Sequence, residues 1–272
     1  MITPVSNRWV PASRIVPDAS CRLFCFPYAG GGASIYGRST NRLPAFLDLI
    51  PVQLPGREGR LDEPPIHNLA ELIEQAARCL RPYLRPPFAL FGHSMGSLIA
   101  FELCRKLRKL KWPTPVCLFV SAMRGPHLPR RHPPRYNLPK SALIQELKTL
   151  GGTPGGVFED GELLELTLPT LRADFAVCDQ YEFEVESPLE MPICAFAARD
   201  DTEAPPPVVA CWREHTLSRF SLHVMSGGHF FINSARQAVL DLIGSELLAF
   251  SHYAAPALSA VASRELDLEE IV

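Results

Sequence analysis

Short apolar runs rich in β-forming residues alternate along the chain with longer segments in which apolar positions recur every three or four residues. The runs cover residues 22–26, 49–53, 88–91, 116–121, 193–197 and 220–225, several of them bounded by proline or glycine. Near-continuous apolar runs of this length predict strands buried on both faces. Between them, Leu69, Leu72, Ile73, Ala76, Ala77 and Leu80 share one face of a helix. Leu98, Phe101, Glu102 and Leu103 carry a second helix toward Lys111. Strands alternating with helices predict an α/β fold, a mainly parallel sheet with helices on both faces.

The alternation breaks at 138–181, where helix-like pieces at 141–150 and 161–181 flank a Gly-Gly-Thr-Pro-Gly-Gly run at 151–156. This segment reads as a mostly helical insertion. Residues 252–272 have weak periodicity and an acidic end, which suits a mobile tail or an extra helix. With 272 residues, 47% of them hydrophobic, the chain can fill one sizeable core, and it reads as a single domain over 1–272.

Composition narrows the function classes. A formal net charge of −2 gives no general attraction to nucleic acid or to an anionic membrane. No window approaches the roughly 18 apolar residues of a membrane span, and the first twenty residues lack the apolar core of a signal peptide. The eight cysteines lie mostly inside apolar runs, with no CxxC pair or histidine at zinc spacing. They read as free thiols, with no metal site and a cytoplasmic location.

Gly92-His93-Ser94-Met95-Gly96 is a Gly-x-Ser-x-Gly pattern, short enough to arise by chance, so its context decides. It follows the apolar run 88–91 and opens the helix beginning near Ser97. That is the strand–turn–helix of a nucleophile elbow, in which a strained turn lifts the serine Oγ above the sheet. A serine hydroxyl needs a base to take its proton, and the base needs a third group to orient it. In the α/β-hydrolase fold these follow in the order Ser, acid, His. His229 in Ser226-Gly227-Gly228-His229, after the run 220–225, is the expected base; His93 and His215 are poorly placed for that task. The acid follows the run 193–197, where Asp200 and Asp201 stand side by side. Asp201 is preferred, because Ala198 occupies the glycine position of a frequent Gly-x-x-Asp pattern, and Asp200 stays open. Oxyanion stabilisation calls for two backbone N–H groups. The candidates are Met95 and, in the turn Phe26-Pro27-Tyr28-Ala29-Gly30-Gly31-Gly32, Ala29 or alternatively Tyr28.

With these residues in place, the chain resembles the type II thioesterases, the stand-alone editing enzymes of polyketide and nonribosomal peptide pathways. The likeness spans nearly the whole chain. Its marks are Phe26 to Gly32, Gln53-Leu54-Pro55-Gly56-Arg57-Glu58, Phe91 to Gly96, Gly151-Gly152-Thr153-Pro154, Leu168-Pro169-Thr170-Leu171-Arg172-Ala173-Asp174 and Gly227-Gly228-His229-Phe230-Phe231. It implies a triad of Ser94, Asp201 and His229 and oxyanion donors at Ala29 and Met95. It also implies a helical lid over 138–181 and a substrate carried on the phosphopantetheine arm of an acyl or peptidyl carrier protein. An activated serine with two N–H donors suffices for a thioester without metal or cofactor, and an acyl site closed by its own lid can operate as a monomer. One departure is that Ala197-Ala198 and Thr202 flank the acid where members commonly have glycines and a proline. Because carrier proteins are acidic around the arm, Arg124, Arg130, Arg131 and Arg135 are candidates for steering a docked carrier. The alternatives within the same chemistry are programmed release of a medium-length acyl chain and hydrolysis of oxygen esters.

Overall fold

The computed structural model describes residues 7–10, 20–37, 43–44 and 46–266, with side chains to 249. Six strands form one sheet, β1 (Cys21–Phe26), β2 (Leu47–Pro51), β3 (Phe88–His93), β4 (Leu118–Ser121), β5 (Ile193–Ala198) and β6 (Phe220–Met225). Their spatial order is β2-β1-β3-β4-β5-β6, and every pairing is parallel. Each apolar run predicted as a strand is one. The second begins two residues earlier than expected, and the fourth is shorter at Leu118–Ser121, although Val116 N–H already bonds Phe88 O of the neighbouring strand.

The strands are buried because both sheet faces are covered. On β1, Phe24 and Phe26 point into one apolar cluster and Leu23 and Cys25 into the other, as the two-residue period of a strand requires. The first cluster packs beneath α2 (Leu69–Leu80) and α3 (Met95–Lys109), which bury Leu72, Ile73, Ala76, Ile99 and Leu103. The second cluster is closed by α1 (Ser34–Gly37) and the long α8 (Ile232–Leu266), through Tyr36, Val239 and Ile243. α2 starts where Asn68 accepts the Glu71 N–H, an N-cap that satisfies one of the helix's orphan donors.

Between β4 and β5 lie three helices, α4 (Lys140–Leu150), α5 (Gly155–Glu159) and α6 (Gly161–Asp179). They hold a small core of their own, with Leu143, Leu147, Leu164, Leu168 and Phe175. The sequence indicated the outer two; α5 falls partly on the glycine-rich run that reads as a break. A short α7 (Pro206–Val209) follows β5. The C-terminal segment is helical as far as Leu266, continuous with α8, while residues 267–272 lie outside the described residues.

The elbow depends on two close approaches. A Cβ built on Gly92 would sit 2.0 Å from the Gly96 carbonyl atoms, and one on Gly96 would sit 2.2 Å from Phe26 O. The first turn of α3 therefore rests directly on the end of β1, which brings the loop after β1 against the start of α3. Replacing Gly92→Ala is expected to lower the unfolding free energy by about 3 kcal/mol or more, since backbone and not a flexible side chain must move. Thermal and denaturant unfolding would check this, and a loss below about 0.5 kcal/mol would show that the turn absorbs a methyl group.

Candidate active site

The C-terminal ends of β3, β5 and β6 deliver three side chains to one point. Ser94 lies between β3 and α3 with φ 53° and ψ −120°, a conformation that L-residues rarely adopt. It is held there by its N–H to Ser121 O at 2.7 Å and by Ser97 N–H to its carbonyl at 2.8 Å. His229 comes from the loop after β6, with Nε2 2.9 Å from Ser94 Oγ and Nδ1 2.9 Å from Asp201 Oδ2. Of the two adjacent aspartates it is Asp201 that reaches the histidine. Asp200 is exposed, and its N–H closes the loop onto Gly227 O.

Asp201 is 2% exposed, and its other carboxylate oxygen accepts the N–H groups of Glu203 and Ala204 at 2.8 and 3.0 Å. Burial alone would raise its pKa. The hydrogen bond and charge of His229 and the two backbone donors outweigh burial and leave it below the usual carboxylate value. An ionised Asp201 can only accept, so His229 Nδ1 carries the proton and Nε2 presents its lone pair to Ser94.

Ser94 and Ala29 line the same cleft, whose opposite side is formed by α4 and α6. The turn bearing Ala29 is fixed by Gly31 N–H to Tyr28 O at 2.9 Å and by Gly30 N–H to Asp174 Oδ2 at 2.7 Å. Met95 is the first residue of α3, where a helix leaves its N–H without an intrahelical acceptor. Of the two residues whose amides are expected to bind an oxyanion, Met95 follows the serine directly and Ala29 lines the same cleft.

The thioesterase domain family matches the chain over residues 21–247. The protein belongs to the thioesterase family. It is a thioester hydrolase, similar over 241 residues (39% identical, 89% of this chain and 94% of the relative) to the gramicidin S biosynthesis protein GrsT of Aneurinibacillus migulanus. Among solved structures it resembles RedJ, a thioesterase from the prodiginine biosynthetic pathway in Streptomyces coelicolor. That match has 38% identity and a TM-score of 0.80, over 84% of this chain and 91% of that one. It also resembles BorB, the type II thioesterase from the borrelidin biosynthetic cluster, at 36% identity and a TM-score of 0.81, over 90% and 100% of the two chains.

Two parts of the thioesterase's site carry no obvious mark in the sequence. The first is a buried ion pair. Arg57 places Nη1 and Nη2 2.6 and 2.8 Å from the two carboxylate oxygens of Asp174, with 6% and 2% of the side chains exposed. Asp174 belongs to α6, Arg57 to the loop after β2, and the same carboxylate accepts Gly30 N–H, so one group ties three segments around the cleft. Thr170 adds a bond from its hydroxyl to Gly56 O at 2.6 Å. Both Arg57 and Asp174 stand in motifs that carried the family likeness; what the sequence lacks is any sign that they meet.

The second is His93, which the sequence excludes as a base without giving it another task. Its Nε2 is 2.8 Å from His229 O and its Nδ1 2.8 Å from Ser121 Oγ. A carbonyl only accepts, so Nε2 is the protonated nitrogen and Nδ1 accepts from the Ser121 hydroxyl. His93 therefore braces the backbone of His229 from below. Burial, and secondarily the charge of His229, push its pKa from 6.5 down to about 3.

The basic stretch divides. Arg135 is bound to Glu146 at 2.6 Å and Glu203 at 2.8 Å, and Arg130 donates to Asp179 O. Both are engaged within the molecule, linking the loop after β4 to the ends of α4 and α6.

Two outcomes follow. Asp174→Asn leaves the Arg57 charge buried without its partner and is expected to reduce the unfolding free energy by about 3–5 kcal/mol, and to depress kcat more than KM by loosening the Ala29 turn; unchanged kcat with lowered stability would restrict the pair to a structural role. For His93, the folded pKa lies below the unfolded one, so its contribution to stability is present above about pH 6.5 and is lost as pH falls toward 3. His93→Gln should make the acid-side decline of unfolding free energy shallower by up to about 1.4 kcal/mol per pH unit in that window. Parallel declines for the variant and the wild type would refute the assignment.

Proposed function

We propose that the thioesterase removes acyl groups from the phosphopantetheine arm of acyl or peptidyl carrier proteins, clearing aberrant or stalled chains from a polyketide or nonribosomal peptide synthase. The observation that carries this reading is the continuous chain Asp201–His229–Ser94 at the end of a cleft that has an apolar wall from α4 and α6. The settings of similar proteins support it: GrsT in gramicidin S biosynthesis, BorB in the borrelidin biosynthetic cluster and the type II thioesterase YbtT in the yersiniabactin NRPS/PKS pathway.

Ser94 Oγ attacks the thioester carbonyl while His229 Nε2 takes the hydroxyl proton, and Asp201 holds the imidazole in the required tautomer. The N–H groups of Ala29 and Met95 receive the negative charge that develops on the carbonyl oxygen. The C–S bond then breaks, the arm leaves as a thiol with the proton from His229, and an acyl–Ser94 ester remains. A water molecule deprotonated by His229 attacks that ester, releasing the acid and restoring the serine. The helices α4 to α6 act as the lid that shields the acyl chain. The proposal extends to a monomer in the cytoplasm, since the cleft is closed by helices of its own chain and all eight cysteines are free, as in a reducing compartment. Among the described residues, no helix is long and apolar enough to cross a membrane.

Mass spectrometry of carrier proteins loaded with a panel of acyl groups would test the proposal. Broad release of short acyl groups, reduced about 10⁴-fold or more in Ser94→Ala, is expected. A sharp preference for one longer chain would point to programmed release, and faster turnover of matched oxygen esters to an esterase.

A further inference from the structure

The lining of the cleft beside Ser94 is of two kinds. Part of it is apolar, with Leu147 of α4 and Leu171 and Phe175 of α6, and part is cationic, with Arg124, Arg130, Arg131 and Arg135. The carboxylates in the cationic part are already engaged. Glu203 binds Arg135 and lies 3.4 Å from His132, and Asp179 accepts the backbone N–H groups of Arg135 and Tyr136.

Arg124 stands apart from its neighbours. It is half-buried, and among the described residues it forms no hydrogen bond or ion pair; its Nε is shielded from solvent with no acceptor. Among the described residues, the one hydrogen bond of the Arg131 side chain is to the Thr202 carbonyl, at 3.4 Å. Burial and the like charge of Arg131 both push the Arg124 guanidinium below its ordinary pKa. Two guanidinium groups sharing the cationic lining without a free carboxylate, one with a desolvated donor, are unfavourable until an anion joins them. The planar fork of N–H donors fits phosphate oxygens.

We infer that Arg124 and Arg131 form a subsite for the phosphodiester of the substrate's arm in the cleft whose apolar lining takes the acyl chain. The substrate combines the two chemistries found in the lining, being apolar at its acyl end and anionic at its far end. This inference rests on the reading of the substrate as a phosphopantetheine thioester. The half-buried position of Arg124 lets it meet the arm inside the cleft, which sets it apart from a surface patch that only steers a carrier.

The test compares one acyl group on 4′-phosphopantetheine and on pantetheine, which lacks the phosphate. Wild-type enzyme is expected to show kcat/KM about tenfold higher for the phosphorylated thioester. That ratio should collapse toward one in Arg124→Ala and in Arg131→Ala. Equal turnover of the two thioesters by wild type overturns the subsite and leaves the thioesterase reading intact. Failure of wild type to exceed Ser94→Ala on either thioester removes that reading and the subsite with it. Should Arg124→Ala fail to fold, inhibition of wild-type hydrolysis of an acyl-N-acetylcysteamine decides the matter. Free 4′-phosphopantetheine is expected to inhibit about tenfold better than pantetheine, and equal inhibition overturns the proposal. Succinyl- and butyryl-pantetheine form the last arm. If Arg124→Ala selectively slows the succinyl substrate while the phosphate ratio persists, the arginines read a carboxylate on the acyl group, and the phosphodiester assignment is wrong.

Discussion

The buried pair of Arg57 and Asp174 is the constraint around which the cleft is organised. Taking both charges out of water is costly, and the bidentate geometry together with the Gly30 N–H offsets that cost only while all three segments stay in register. The loop after β2, the glycine turn after β1 and helix α6 are therefore not independent. Opening the cleft by swinging α6 away would expose or orphan both charges, so any widening must leave α6 in place. The helices α4 and α5 are held instead by the apolar cluster they share with α6 and by the Arg135 links.

This arrangement complements the elbow. Ser94 is held in a strained backbone conformation by Ser121 O and by the tight seating of α3 on the end of β1. That seating places Met95 beside the turn that bears Ala29, and Asp174 holds the turn from the other side. Strain at the nucleophile persists because rigid neighbours over-determine it. Close packing of glycine backbone supplies one set of restraints and a buried ion pair the other.

The sheet was legible because a parallel strand buried on both faces leaves a nearly unbroken apolar run, as at 88–91 and 193–197. Ser94 and His229 were legible because glycines mark the turns that carry them. Asp201 was legible only as one of two, since adjacent loop residues differ in direction and the sequence does not record direction. Arg57 and Asp174 are 117 residues apart, and each reads locally as an ordinary charged residue; only the fold makes them buried partners. The partners of the individual arginines at 124–135 were illegible for the same reason. Arg135 meets Glu146 and Glu203 across tertiary distance while Arg124, among the described residues, forms no hydrogen bond or ion pair with a carboxylate, a division that spacing within the stretch cannot reveal.

His93 and His229 show how environment divides the work between two histidines whose ring centres lie 5.9 Å apart. The proposed mechanism makes an imidazolium of His229 when it takes the Ser94 proton. A second positive charge at that separation would oppose the step by about 3 kcal/mol at an effective dielectric near 20, roughly a hundredfold in rate. Full burial of His93 keeps it neutral to about pH 3, far below the range in which a base of this kind works. Neutrality also preserves its hydrogen bonds, because the protonated Nε2 serves His229 O while Nδ1 accepts from Ser121. The brace can thus sit directly beneath the base and hold its backbone without resisting the charge that the base must acquire.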